Sequence, residues 1–190
     1  EIYTLSLHDA LPIYEFSGIT LGILADQNAI DTFLAELRRA KASGKLVAFD
    51  PNIRPRLWQS KDHMLATITE GARASSMVLP SFDDEKTHFD DESVDATIAR
   101  YKALGVTKLV VKDGENGATL DFDGARSHEP SCKAEAVVDT TSAGDSFNGT
   151  FLAKLMTGAN PQEAARYAAK AAATVIGHHG ALISPDLLPR

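Results

Sequence analysis

An α/β fold with a mainly parallel sheet is what this 190-residue sequence predicts, on three observations. Short apolar, β-branched runs alternate with longer segments whose apolar residues recur at helical spacing. Those helical segments close on glycine, at Gly44, Gly105 and Gly158. Asp123-Gly124 is a hairpin signal, so that part of the sheet should turn antiparallel.

In chain order, residues 1–13 lack the basic start and small-residue cleavage site of a signal peptide. They look like a fusion scar or translated read-through joined to a coding sequence broken near Tyr14, and are set aside from the fold; the competing reading is a short native helix or strand. Residues 16–24 read as a buried strand. Residues 26–43, with Ile30, Phe33, Leu34 and Leu37, read as a helix, and residues 45–50 as the second strand. Pro51 and Pro55 then keep residues 50–58 out of helix and central strand. This is a rigid loop outside the carboxyl end of a parallel strand, where open α/β sheets bind ligands. Residues 61–74 form the next helix, 76–80 a short strand, and 81–88 open with Asp83, Asp84 and Glu85. A helix over 92–104, a buried strand over 107–112, a Gly-bounded turn over 113–117 and a strand over 118–122 follow. The apolar run 134–138 should be a strand feeding the helix 143–157. Pro161 opens an alanine-rich helix to about Ile176, and 177–183 return as a loop or short strand.

Composition narrows the function classes. With 44% hydrophobic and 24% charged residues the chain suits one domain, or part of a larger one. Nineteen basic against 26 acidic side chains leave a net charge of −7, with no Lys/Arg cluster, which disfavours a nucleic-acid or anionic-membrane partner. An anionic ligand must therefore be held locally. A single cysteine, Cys132, rules out an intrachain disulfide and any multi-cysteine metal site, and fits a reducing, cytoplasmic location. No apolar run reaches the ~18 residues that span a membrane. His178 and His179 have no third ligand placed with them, so a metal reading is set aside.

Chemistry concentrates at Asp139-Thr140-Thr141-Ser142-Ala143-Gly144-Asp145-Ser146-Phe147. Small residues Ser142, Ala143 and Gly144 allow a sharp turn that brings consecutive N–H groups to the open end of a helix, where a phosphate can be held. Asp145 would stand beside that cradle, where the base of a phosphoryl transfer belongs. The same residues could instead make an Asx or Ser/Thr turn that merely caps the helix.

This stretch resembles the C-terminal signature of the ribokinase-like (PfkB) carbohydrate kinases. The resemblance implies a three-layer ribokinase-like fold with a mainly parallel sheet, incomplete here because the N-terminal strands and lid are missing, so that residues 14–190 are its C-terminal, ATP-binding portion. It makes Asp145 the catalytic base and Ser142, Ala143 and Gly144 the anion hole, with Ser142 where the family usually has Gly or Ala. Phe49-Asp50-Pro51-Asn52-Ile53-Arg54-Pro55-Arg56-Leu57-Trp58 resembles the matching segment of 2-keto-3-deoxygluconate kinases, and less closely that of bacterial fructokinases. That likeness puts Asn52 and Arg54 on the phosphate path and Arg54, Arg56 and Asp145 at the sugar acid. Lys112, Gly114, Glu115 and Gly117 look like the nucleotide-binding turn, joined by Gly144. The family's adenine pocket lies near Gly180-Ala181, and its monovalent-cation site uses the loop of Asp139 and Thr141.

The expected reaction is ATP-dependent phosphorylation of a sugar-acid hydroxyl, 2-keto-3-deoxygluconate to its 6-phosphate, with Mg²⁺ and K⁺ as the cations the family brings. Small-molecule partners follow, with a homo-oligomer left open. Some relatives place a substrate-binding Asp about where this chain has residues 177–179, which hold none. A fructokinase- or ribokinase-like enzyme of neutral sugars, and a nucleotide-binding fragment without turnover, remain the alternatives. A Rossmann dehydrogenase is disfavoured, because no Gly-x-Gly-x-x-Gly follows the first strand.

Overall fold

The computed structural model of the chain describes residues 13–180 and 183–187. The expected foreign leader lies outside these residues, except for Ile13, which opens the first strand. Among the described residues, six strands form one sheet in sequence order. They are β1 (Ile13–Ser17), β2 (Leu46–Asp50), β3 (Met77–Val78), β4 (Lys108–Lys112), β5 (Ala118–Phe122) and β6 (Ala125–Glu129). Seven α-helices alternate with or follow them: α1 (Gly18–Gly22), α2 (Gln27–Ala42), α3 (Lys61–Ala74), α4 (Phe82–Phe89), α5 (Val94–Ala103), α6 (Ala143–Met156) and α7 (Pro161–Val175). This is the α/β fold with a mainly parallel sheet that the alternation predicts. None of these helices is long and apolar enough to cross a membrane. The chain divides into two compact units, one ending at Leu109 and one beginning at Val110.

In the first unit β1 pairs in parallel with β2, from Ile13 opposite Leu46 to Ser17 opposite Asp50. Then β2 pairs with β3 and β3 with β4, also in parallel. A strand flanked on both sides must be apolar throughout, and Val47, Ala48 and Phe49 of β2 are wholly buried. Phe16 stacks on Phe49 at 4.6 Å and meets Phe33 of α2 edge-on at 5.6 Å. Helices α2, α3 and α5 each begin where a side chain caps the first turn: Asp26 accepts from the Ala29 N–H, Ser60 from His63 and Ser93 from Ala96.

The strand expected over residues 16–24 ends at Ser17. There the Ser17 hydroxyl accepts from the Thr20 N–H while the Ser17 N–H donates to Thr20 Oγ1. This reciprocal capping box starts a helix in a segment whose β-branched residues suggested a strand. Gly18 permits it, because a Cβ there would stand 1.9 Å from the Pro51 carbonyl oxygen. Leu21 carries the segment's burial, fully enclosed from the helical backbone.

Helix α4 is pinned from below by charge. Its Glu85 is fully buried, accepting from the Tyr101 hydroxyl at 2.9 Å and from the Arg100 guanidinium, which also grips Asp91 at 2.7 Å. Arg100 further covers the Phe89 ring at 4.0 Å. Burial pushes the Glu85 carboxyl up to about 7, against the pull of Arg100.

In the second unit β5 and β6 pair antiparallel about Asp123-Gly124, as the hairpin signal predicts. Both turn residues have positive φ, 52° and 91°, the signature of a two-residue type I′ turn. Helices α6 and α7 pack together, with Phe147, Phe151 and Leu152 buried on one and Ala164, Ala168 and Ala171 on the other. Asn160 and Glu163 cap α7 reciprocally behind Pro161.

The expected strand over 134–138 does not form. Val137 and Val138 are exposed, and the N–H groups of Val138 and Asp139 both donate to the Ile176 carbonyl, at 2.7 and 3.2 Å. A helix C-terminus takes the donors that a ladder would have used. Of the tail expected over 177–183, residues 181 and 182 lie outside the described residues.

Gly18→Ala should lower unfolding stability by about 1–3 kcal/mol in urea titration, since the added methyl meets backbone and not a yielding side chain. Unchanged stability would mean that α1 does not seat on the Pro51 carbonyl.

Candidate active site

The entry to α6 is unusual for a serine-led helix. Ser142 is left-handed, with φ 62° and ψ 13°, and its side chain makes no capping bond. The Ala143 N–H donates to the Thr140 carbonyl at 3.3 Å, and the first helical bond runs from Ser146 to Ser142. That leaves the N–H groups of Gly144 and Asp145 in the first turn facing the open end of the helix. Asp145 itself is exposed beside them, and Ala143 and Gly144 are half-buried. So the turn leaves two N–H groups at the helix end, and the Ser142 side chain does not cap them.

An Asx turn does form, one step earlier. Asp139 Oδ1 accepts from the Thr141 N–H at 2.8 Å and Oδ2 from the Gly180 N–H at 3.0 Å. Asp139 thus ties the loop before α6 to the loop after α7. Hydrogen bonds from Thr141, by side chain and N–H, and from Gly180 hold the Asp139 carboxyl down at about 2. His178 Nδ1 stands 2.9 Å from the Thr174 carbonyl; since a carbonyl only accepts, that nitrogen carries the proton. Among the described residues no group of three or more His, Cys, Asp or Glu gathers for a metal.

Lys112 leaves β4 toward the same helix. Its Nζ donates to Asn148 Oδ1 at 3.0 Å, and a Cβ on Gly144 would lie 3.8 Å from it. In the turn that follows, Gly114 and Gly117 both have positive φ, 52° and 95°. Gly117 is fixed by internal packing, because a Cβ there would stand 2.2 Å from the Glu129 carbonyl oxygen. At Gly114 a Cβ would meet open space. Glu115 is exposed, with its carbonyl accepting from Ser131 Oγ at 2.6 Å. A cleft of about 610 Å³ opens between residues 132–136 and the last turns of α7, lined by Cys132, Ala134, Ala136, Lys170, Thr174 and His178 among others.

In the first unit, Asn52, Arg54 and Arg56 share the loop at the carboxyl end of β2. Pro51 and Ile53 are buried and anchor it. Asn52 has φ 34°, with its N–H on Asp50 Oδ1 at 3.1 Å. Arg54 bonds the Ile53 carbonyl at 2.8 Å and stands 3.9 Å from Asp84 in the first turn of α4. Burial raises the Asp84 carboxyl, with Arg54 pulling it back. Arg56 projects to solvent from a 3₁₀ turn, Pro55–Leu57. Sequence reasoning gave no role to Asp84, though the acidic opening of α4 was its signal, or to Asn148, whose only signal is its place one helical turn after Gly144.

The profile described as pfkB family carbohydrate kinase matches residues 10–187. The chain belongs to that family. It is 36% identical over 176 residues to the 2-dehydro-3-deoxygluconokinase of Dickeya dadantii, covering 91% of this chain and 56% of that one. It therefore spans about half the length of the curated relatives it matches. Among solved structures, the aminoimidazole riboside kinase of Salmonella enterica, complexed with aminoimidazole riboside and an ATP analog, superposes with a TM-score of 0.80. It is 29% identical, over 93% of this chain and 61% of that one. A putative ribokinase II from E. coli in complex with ATP and Mg²⁺ superposes with a TM-score of 0.76 at 25% identity, over 90% and 54% of the two chains.

Asp139→Ala should speed amide hydrogen exchange at Thr141 and Gly180 while leaving α7 protected. The sign of its pH dependence follows from a folded pKa of about 2 against an ordinary 3.8. The tie contributes fully above the ordinary value and is lost as pH falls through about 2. Equal exchange in variant and native protein would show that Asp139 ties nothing.

Proposed function

We propose that this chain is the ATP-binding portion of a carbohydrate kinase whose phosphoryl acceptor is a hydroxyl of the sugar acid 2-keto-3-deoxygluconate, yielding the 6-phosphate. The observation that carries this reading is the uncapped N-terminus of α6, with the Lys112 ammonium beside Gly144 and the Asp145 carboxylate next to it. Family membership and the name of the Dickeya relative support the substrate class, and the paired arginines Arg54 and Arg56 suit a carboxylate or phosphate.

In this mechanism the Asp145 carboxylate accepts the proton of the sugar hydroxyl as its oxygen attacks the γ-phosphorus of ATP. The bond from that phosphorus to the β-phosphate bridging oxygen breaks, and ADP leaves. The N–H groups of Gly144 and Asp145, in the turn formed by Ser142 and Ala143, hold the transferring group. A loose phosphoryl transition state needs more positioning than push from the base. Lys112 contacts the phosphates, while Gly114, Glu115 and Gly117 border the nucleotide and the cleft beside Thr174 receives its base. Asn52 and Arg54 serve the phosphate path, and Arg54 with Arg56 the acid group of the sugar.

Mg²⁺, when bound, neutralises charge on the β- and γ-phosphates. With no protein cluster for it among the described residues, the phosphates themselves would supply much of its shell. A K⁺ ion fits the Asp139–Thr141 loop, since Asp139 is anionic and its three hydrogen bonds, two from Thr141 and one from Gly180, leave its carboxylate one acceptor site.

The test joins this chain to the N-terminal portion of the Dickeya relative and assays ATP consumption with 2-keto-3-deoxygluconate, fructose and ribose. Turnover should be highest with the sugar acid, and Asp145→Asn should lower it on the order of 10²- to 10⁴-fold with ATP affinity retained. Undiminished turnover would remove Asp145 from the mechanism, and preference for a neutral sugar would overturn the substrate.

A further inference from the structure

Asn148 takes no part in the proton transfer or phosphate contacts described above, yet it occupies a demanding place. It is 4% exposed, and its Oδ1 accepts the 3.0 Å bond from Lys112 Nζ. It follows Gly144 by four residues, so the two share one face of α6, a turn apart. The ammonium held by Asn148 therefore stands over the first turn of the helix, 3.8 Å from where a Gly144 Cβ would be.

A helix N-terminus carries a partial positive charge. A cation beside it is repelled, and a lysine side chain has rotamers enough to turn away. Something rigid must hold it there. The buried amide of Asn148 does so from a fixed point on the helix itself, and because the amide is neutral, this bond orients the ammonium without cancelling its charge. An anion arriving at the turn then meets the backbone N–H groups and the ammonium together.

We propose that Asn148 is a positioning residue that holds the Lys112 ammonium over the N-terminal turn of α6 for the phosphates of a bound nucleotide. The inference rests on the kinase reading of the site. It predicts a residue that matters for the phosphates and not for the base or the sugar of the nucleotide. It also accounts for an amide at this position: a carboxylate of the same shape would grip the lysine and add the wrong charge.

The test is calorimetric titration of the full chain with ATP and, separately, adenosine. The native protein is compared with Asn148→Asp, Asn148→Ala, Lys112→Met and the double variant Lys112→Met/Asn148→Ala. Both Asn148 variants should bind ATP about tenfold more weakly and adenosine as the native protein does. The double variant should be no weaker for ATP than Lys112→Met alone, since Asn148 acts through the lysine. Asn148→Asp keeps the side-chain shape and carries the comparison if the alanine variant does not fold. Unchanged ATP affinity, equal losses for ATP and adenosine, or a further loss in the double variant would each overturn the positioning role while leaving the kinase reading in place. A native chain that binds neither ligand would overturn both.

Discussion

How the chain enters α6 decides what the candidate site can be. A serine in the left-handed region costs about 1–2 kcal/mol, and at Ser142 that conformation is accompanied by the loss of the side-chain cap, which is ordinarily worth ~1 kcal/mol. Two local preferences are given up at one residue. What is gained is a first turn whose N–H groups remain for a ligand. The strained entry persists because its flanks are tied: Asp139 holds Thr141 on one oxygen and Gly180 on the other, and Val138 and Asp139 both donate to Ile176. The second unit thus stores strain where chemistry is expected and offsets it a few residues away.

The loop bearing Arg54 and Arg56 follows a different logic, rigidity from below. Backbone meets backbone where Gly18 lies under Pro51, and Ile53 is buried between two exposed or half-buried neighbours. On the facing side, Asp84 depends on the setting of α4, and α4 depends on Glu85. A carboxylate buried that deeply is tolerable only with partners, and Glu85 has both Tyr101 and Arg100. The 3.9 Å approach of Arg54 to Asp84 therefore rests on a fully buried carboxyl held by a half-buried guanidinium. Removing Arg100 would leave Glu85 and Asp91 without their common cation, a far larger disturbance than losing the surface pair itself.

Much of this was legible because it is local. Helix α3 begins and ends at the residues the periodicity predicts, Lys61 and Ala74, and α2, α5 and α7 fall within two residues of expectation. In each the apolar stripe sits between a polar cap and a stop. The Asp123-Gly124 hairpin was equally plain. The failures share a cause: they turn on partners distant in sequence. An apolar, β-branched run looks the same whether a neighbouring strand receives it, as for β2, or a helix end does, as for residues 134–138. Residues 18–22 turn helical behind the Ser17–Thr20 capping box, on a seat against Pro51, thirty-odd positions on, that admits only glycine at residue 18. At the site the motif around Asp145 was readable, since turn chemistry is local. Asn148 was not, because its meaning comes from a lysine on β4 thirty-six positions away.

The chain's charge makes these local devices necessary. With a net charge of −7 the chain as a whole repels a nucleotide, but at physiological salt that repulsion is screened beyond about 8 Å. Affinity is then decided by the few groups that touch the phosphates. One of them, in the proposed mechanism, is hostile: the exposed Asp145 carboxylate must stand next to the transferring group to take a proton, and there it repels the charge it serves. Arg54 and bound Mg²⁺ offset it in that mechanism, and so, within the second unit, do the N–H groups of the α6 turn and the Lys112 ammonium. Both act only at short range, so both must be fixed in place, the first by the left-handed Ser142 and the second by Asn148.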